Sequence, residues 1–154
     1  MATTRENPYG AFNFRVAIGG AQGDGTQVEI GGFSDVSGLG TEVSYSDYRN
    51  GNEPFNTARK IPNTHKLDDV TLKRGVVGST DLFEWLKAVR DGGAEVPPRT
   101  VTITLMDEAR KDVAVWTLRN AQPKKWSGPT LAAKGGGEVA MEEIHFVHEG
   151  IEYK

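Results

Sequence analysis

Apolar and polar residues alternate with a period of two at two widely separated places, a pattern that only a half-buried β-strand satisfies. From Phe12 to Ile18, residues Phe12, Phe14, Val16 and Ile18 fall on one face, and Asn13, Arg15 and Ala17 on the other. From Arg99 to Asp107, Val101, Ile103 and Leu105 oppose Thr100, Thr102, Thr104 and Met106. Weaker versions recur between them. Val28, Ile30 and Phe33 mark a second strand, with a bulge expected at Gly31 and Gly32. Thr41 to Arg49 alternates around Val43 and Tyr45, and THKLDDVTLKRG, residues 64–75, carries Leu67, Val70 and Leu72. Val113 to Ala121 returns from the Arg99 strand through a DEARKD turn as an antiparallel hairpin, and Glu138 to Glu149 reads as the last strand.

One segment breaks this rhythm. In STDLFEWLKAVRDGG, Leu82, Phe83, Leu86 and Val89 recur at helical spacing; Ser79 is the expected N-cap, Asp81 suits the dipole, and Gly92 with Gly93 supplies the stop. Short strands around one helix define the expected fold class: mainly β, an antiparallel barrel or sandwich of about six to eight strands flanked by one helix at 79–91. With 154 residues the chain suits a single domain, 1–154, with an N-terminal arm at 1–11.

Gly19 to Gly25, GGAQGDG, is read as a turn, because a phosphate-cradling loop needs a helix N-terminus after it and an extended segment follows. Asn50 to Asn63, NGNEPFNTARKIPN, is expected to be a long polar loop with Pro54 and Pro62. Loops of that length inside a compact domain are usually contact surfaces, the alternative being a mobile surface loop. QPKKWSGPTLAAKGGG is read as a further loop.

The chain has 18 Lys and Arg against 21 Asp and Glu, a net charge of −3, so it makes no electrostatic case for stable nucleic-acid or anionic-membrane binding. With no cysteine, thiol catalysis, disulfides and Cys-based metal sites are excluded. No apolar run is long enough to span a bilayer as a helix, and the N-terminal stretch lacks the apolar core of a signal peptide.

Reactive constellations do not emerge. His145 and His148 are three apart in an expected strand and so face opposite ways, and His65 stands alone. The pairs Glu142 with Glu143 and Asp68 with Asp69 share that problem as acid and base partners. Ser34, Ser37 and Ser46 lie outside any nucleophile elbow. Lys124, Lys125, Lys134, Arg119 and Trp126 form a candidate basic aromatic patch, against which a solvated or subunit-facing surface is the more ordinary reading in a mildly acidic chain. Trp85 and Trp116 read as core. No catalytic residue, metal or cofactor is expected, and the chain is read as not an enzyme.

Four segments in order, NPYGAFNFRVAIGG, GGFSDVSGLGTEVSYSDYRNG, VTLKRGVVGSTDLFEWL and NAQPKKWSGPTLAAKGGGEVAMEEIHFVHEG, resemble the tail-tube family of contractile phages and phage-derived contractile injection systems, related in fold to the type VI secretion tube protein. The resemblance spans nearly the whole chain. It implies a structural subunit: homohexameric rings whose strands join into one barrel, stacked into a hollow tube that sheath contraction drives through a target envelope. The implied partners are further copies of itself, a sheath protein, baseplate or tube-initiator proteins, tape-measure or cap proteins, and a cargo effector or phage DNA passing through the channel. Assembly in the bacterial cytoplasm, within a virion tail or an injection particle, is implied as well.

The same resemblance places ring-stacking or inter-subunit contacts at Tyr9, Arg49, Glu53, Phe55, Arg59 and Lys60, with Ser44, Ser46, Thr100, Thr102 and Thr104 as candidate channel-lining residues. A neutral or acidic wall would let a polyanion pass where a basic one would hold it. Gly135 to Gly137 makes the turn before the last strand longer than the family pattern, which would alter contact with the sheath or the next ring. Two other classes compete: a monomeric small β-barrel that binds a ligand in its interior, and a hydrolase gathering His65, His145 or His148 beside a carboxylate.

Overall fold

The structure, a computed structural model, describes residues 6–19, 27–29, 32–135 and 137–154. Its elements in order are β1 (Phe14–Gly19), β2 (Gln27–Glu29), β3 (Asp35–Ser37), β4 (Thr41–Tyr48), β5 (Arg59–Leu67), β6 (Val70–Gly75), α1 (Asp81–Gly92), a 3-10 turn (Gly93–Glu95), β7 (Arg99–Met106), β8 (Asp112–Ser127), β9 (Met141–Val147) and β10 (Gly150–Tyr153). The mainly antiparallel β fold with one flanking helix is therefore as the alternation requires. The strands β2-β1-β7-β8-β9-β6-β3 form one curled sheet that does not close into a barrel, and β4 with β5 forms a second, two-stranded sheet.

The 16-residue β8 is the spine. One edge pairs with β7 over residues 112–121. The other edge takes β10 opposite residues 116–119 and β9 opposite 122–127. Across the corner the register is continuous, since Gln122 faces Val147 and Arg119 faces Gly150. At the corner Asn120 takes a left-handed φ of 52°, a conformation asparagine tolerates better than most residues. Its Nδ2 donates to Glu149 Oε2 at 2.7 Å, and the Glu149 amide donates to the Arg119 carbonyl at 2.9 Å.

The concave face holds the core: Val16, Ile18, Val70, Leu72, Val101, Ile103, Leu118, Ala121, Ile144 and Phe146, joined by Leu82 and Trp85 of α1. Alternation placed most of them, because every second side chain of a strand shares a face. Trp85 packs on Phe146 with centroids 6.1 Å apart, and Phe83 meets Trp126 edge-on at 5.2 Å.

Several boundaries differ from expectation. Phe12 lies before β1 and is exposed, because the chain turns at Ala11 and Phe12 before the ladder begins. The loop expected over 50–63 ends at Ala58: β5 starts at Arg59 and carries Pro62 in the ladder, a place an edge strand of a two-stranded sheet permits. The 64–75 segment is two strands, broken at Asp68 and Asp69. Residues 122–127 continue β8 rather than forming a loop, with Pro123 buried beside a register shift. The last strand stops at Val147, and β10 follows. The expected 19–25 turn and the Gly31 bulge fall largely outside the described residues, as does Gly136; Gly135 and Gly137 both have left-handed φ, 74° and 71°.

The helix begins two residues later than expected. Thr80, not Ser79, is its N-cap, and it makes no side-chain cap bond to the backbone. The Thr80 hydroxyl instead lies 3.1 Å from Glu84 Oε1, while Arg74 Nη2 donates to the Ser79 carbonyl at 3.4 Å.

Candidate functional site: the projecting hairpin and its loop

The strands β4 and β5 pair from Thr41 with Leu67 out to Tyr48 with Arg59, and a register shift falls between Val43 and Tyr45. They contact chiefly each other. The pairing sorts side chains onto two faces. Val43, Tyr45 and Asp47 share one with His65, Pro62 and Lys60; Glu42, Ser46 and Tyr48 share the other with Lys66, Ile61 and Arg59. Both faces meet solvent in the single chain: Val43 is 49%, Tyr45 58% and Ile61 45% exposed. The alternation legible in Thr41 to Arg49 is real, but no core lies beneath it.

The root of the hairpin is tightly fixed. Gly38 has φ 88°, and a Cβ there would lie 2.0 Å from the Asp69 carbonyl oxygen, so only glycine fits. The Asp68 amide donates to the Gly40 carbonyl at 3.1 Å. The buried His148 bridges this corner to the main sheet, its Nδ1 3.1 Å from the Gly150 carbonyl and its Nε2 3.2 Å from the Asp68 carbonyl.

At the tip, one arginine organises the loop. Arg49 Nε donates to the Phe55 carbonyl at 2.9 Å, and its Nη2 donates to the Glu53 carbonyl at 3.0 Å and to Asn56 Oδ1 at 3.4 Å. Arg59 Nη2 stands 3.0 Å from Glu53 Oε1, and Lys60 Nζ 2.5 Å from Asp47 Oδ1. Beyond that ion pair Glu53 Oε1 is shielded from water and receives no hydrogen bond from the described residues. Phe55 projects into solvent. The structure thus brings Arg49, Glu53, Phe55, Arg59 and Lys60 together at one tip, while Tyr9 lies half-buried on the segment before β1.

The candidate channel residues do not form one set. Ser44 and Ser46 are on the hairpin, Ser46 accepting a bond from Asn63 Nδ2 at 3.0 Å; Thr100, Thr102 and Thr104 are on β7 in the main sheet. Thr104 is only 4% exposed, so it does not face open water in the chain. It sits in register between Arg15 and Val115, and the Arg15 to Asp112 ion pair, 2.7 Å, reaches from β1 to β8 across β7.

Other sequence candidates are dispersed. His145 points outward, 2.9 Å from Thr71 Oγ1, while His148 is buried and His65 lies exposed on β5. Glu143 is outward between Lys73 and His145. Lys124 pairs with Asp69 at 2.7 Å, and Trp126 Nε1 donates to Glu142 Oε2 at 3.2 Å, so the candidate basic patch is divided. Among the described residues no three His, Asp or Glu gather as a metal site, and no helix is long and apolar enough to cross a membrane.

What sequence reasoning missed is a buried ion pair: Arg74 Nε donates to Glu142 Oε1 at 2.6 Å, and both side chains are almost fully enclosed. The signal was Arg74 in phase with Val70 and Leu72, and Glu142 in phase with Ile144 and Phe146. Two opposite charges at paired positions of adjacent strands, both on the core face, are one pair.

An open, curled antiparallel sheet with a rigidly rooted, solvent-exposed hairpin defines a structural β protein. The chain belongs to the T4-like virus tail tube protein gp19 family, which matches residues 10–152. Among solved structures it is similar to a chain of the anti-feeding prophage (AFP) baseplate, with 22% identity, 97% of each chain covered and a TM-score of 0.82. It is also similar to a chain of the PVC sheath-tube complex, an extracellular contractile injection system in its extended state, with 25% identity, 97% and 93% covered and a TM-score of 0.80. Hcp1 from Flavobacterium johnsoniae shares the fold more distantly, with 12% identity, 90% and 94% covered and a TM-score of 0.54. No curated protein matches the chain.

Proposed function

We propose that this tail-tube protein forms homohexameric rings that stack into the hollow inner tube of a phage tail or contractile injection particle. Sheath contraction then drives the tube through a target envelope, and the channel conducts cargo effector or DNA. Sheath, baseplate or initiator, and tape-measure or cap proteins are its partners, with assembly in the cytoplasm. Its work is done by shape and self-association rather than catalysis.

The observation that carries this reading is the β4–β5 hairpin. An isolated two-stranded hairpin is at best marginally stable in water, and one showing Val43, Tyr45 and Ile61 to solvent gains its missing burial from another copy. The end strands β2 and β3, each paired on one side only among the described residues, supply pairing sites that ring closure would satisfy. The Arg49 tip, which fixes the loop backbone and holds Phe55 out in solvent, suits contact between stacked rings. A ligand-binding reading draws on one feature, a groove of about 560 Å³ at the seam between β1 and β3, lined by Phe14, Val36, Leu39, Ile103 and Trp116; it is an open cleft rather than an enclosed interior.

The test is negative-stain electron microscopy and sedimentation of the purified protein over a range of concentrations, with and without its tube-initiator complex, beside the Val43→Asp/Tyr45→Asp variant. Rings or tubes from the parent, and a folded monomer from the variant, are expected. A parent that stays monomeric in every condition, templated ones included, would overturn the proposal.

A further inference from the structure

The chain has asparagines at 7, 13, 50, 52, 56, 63 and 120, and only Asn50 precedes a glycine. That dipeptide sits at the hairpin tip. Gly51 is exposed, a Cβ built on it would meet nothing within 4 Å, and among the described residues its N–H meets no acceptor. The Asn50 side chain is oriented by one contact, the Tyr48 hydroxyl donating to Asn50 Oδ1. The neighbouring charges are engaged elsewhere: Arg49 on the Phe55 and Glu53 carbonyls, Glu53 with Arg59, and Asp47 with Lys60.

We propose that Asn50 is a site of spontaneous deamidation assisted by Tyr48. The Gly51 amide nitrogen, losing its proton to solvent, attacks Asn50 Cγ. A C–N bond forms, the Cγ–Nδ2 bond breaks, and ammonia leaves with the proton it needs, giving a five-membered succinimide. Water then opens either carbonyl, so the net reaction is asparagine plus water to aspartate or isoaspartate plus ammonia, with no redox change. As the nitrogen attacks, negative charge develops on Oδ1, where the Tyr48 hydroxyl already donates; a donor placed at a developing oxyanion lowers the barrier. Glycine at the attacking position speeds the reaction because it offers the backbone freedom for the approach and no side chain to block it. The product is one charge unit more negative beside Glu53 and Asp47. If the tube reading holds, that charge repeats around every ring at the stacking loop, but the chemistry does not depend on assembly.

The test incubates the full chain, unassembled at low concentration, in mildly alkaline buffer for several days, followed by peptide mapping for the amide-to-acid mass change and enzymatic isoaspartate detection. Asn50 is expected to convert at least about tenfold faster than Asn52 and Asn56, which share its loop. Tyr48→Phe is expected to slow Asn50 about tenfold while leaving those two unchanged, the loss of one donor to the oxyanion. Tyr48 is half exposed, so the variant retains the fold, and the other asparagines report any loosening. Equal rates at all three asparagines, or an unchanged or faster Asn50 in Tyr48→Phe, would overturn the assignment.

Discussion

Replacing Glu142 by leucine removes a single carboxylate and should unsettle the end of the sheet that carries α1. The Arg74 guanidinium, with its side chain 3% exposed, would keep its charge and lose its counter-ion at 2.6 Å. Breaking a buried pair from one side costs about 3–5 kcal/mol. The Trp126 N–H, now bonded to Glu142 Oε2, loses its partner as well, a cost of about 1–3 kcal/mol that overlaps the first. About 4 kcal/mol is the reasonable sum, which for a chain of this size corresponds to a fall in Tm of about 8–16 °C. Arg74→Met alone should cost about as much, since it strands Glu142 and frees the Ser79 carbonyl before α1. The double variant Arg74→Met/Glu142→Leu removes both charges and fills the space, and should return to within about 2 kcal/mol of the parent. Urea unfolding followed by circular dichroism, read as a double-mutant cycle, measures this directly, and a coupling of about 6 kcal/mol is expected, the two single losses less the residual loss of the double variant. Single variants costing less than about 1 kcal/mol, or a cycle that closes additively, would show that solvent reaches the pair and that burial is not what makes it matter.

Gly38→Ala should destabilise the root of the hairpin by about 2–4 kcal/mol, because a Cβ meets the Asp69 carbonyl at 2.0 Å in a left-handed backbone; a thermal melt within about 1 °C of the parent would contradict this. Arg49→Ala should leave global stability within about 1 kcal/mol but release residues 50–58, since three bonds to the loop originate from one exposed side chain. Limited proteolysis would read that as a new cleavage at the tip, and an unchanged digestion pattern would mean the loop holds without it. Val43→Asp/Tyr45→Asp should change the unfolding free energy of the monomer by less than about 1 kcal/mol, as both side chains lie in solvent; a large loss would mean that the hairpin packs on its own chain.

Much of the fold was legible because a two-residue period states which side chain is buried without needing to know against what. Val16, Ile18, Val101 and Ile103 were placed on one face by alternation alone, and all are buried. The same rule says nothing about whether a core exists behind the face. Val43 and Tyr45 alternate as cleanly and face water, because their two-stranded sheet contacts chiefly itself and none of the described core packs over them. Boundaries failed where two cues conflicted. Pro62 and Pro123 argued for loop, and both sit in strands at positions where a bulge or free edge spares the missing N–H. At the tip, Arg49, Glu53 and Phe55 came from the family resemblance, not from any local pattern. Their mutual geometry could not have been derived, since it rests on backbone carbonyls that sequence does not order.

The rooted hairpin bears on how quickly identical subunits find one another. A flexible arm would have to be immobilised at the moment of docking, and the ordering entropy would be subtracted from the gain of contact. Here the Gly38 approach, the Asp68 to Gly40 bond and the His148 bridge fix the angle of the strands within the single chain. That ordering is accomplished during folding, so under the proposed tube assembly a newly arriving copy would meet a surface that needs no further ordering. Association in such a tube would resemble a crystal face accepting its next unit more than a disordered tail being captured.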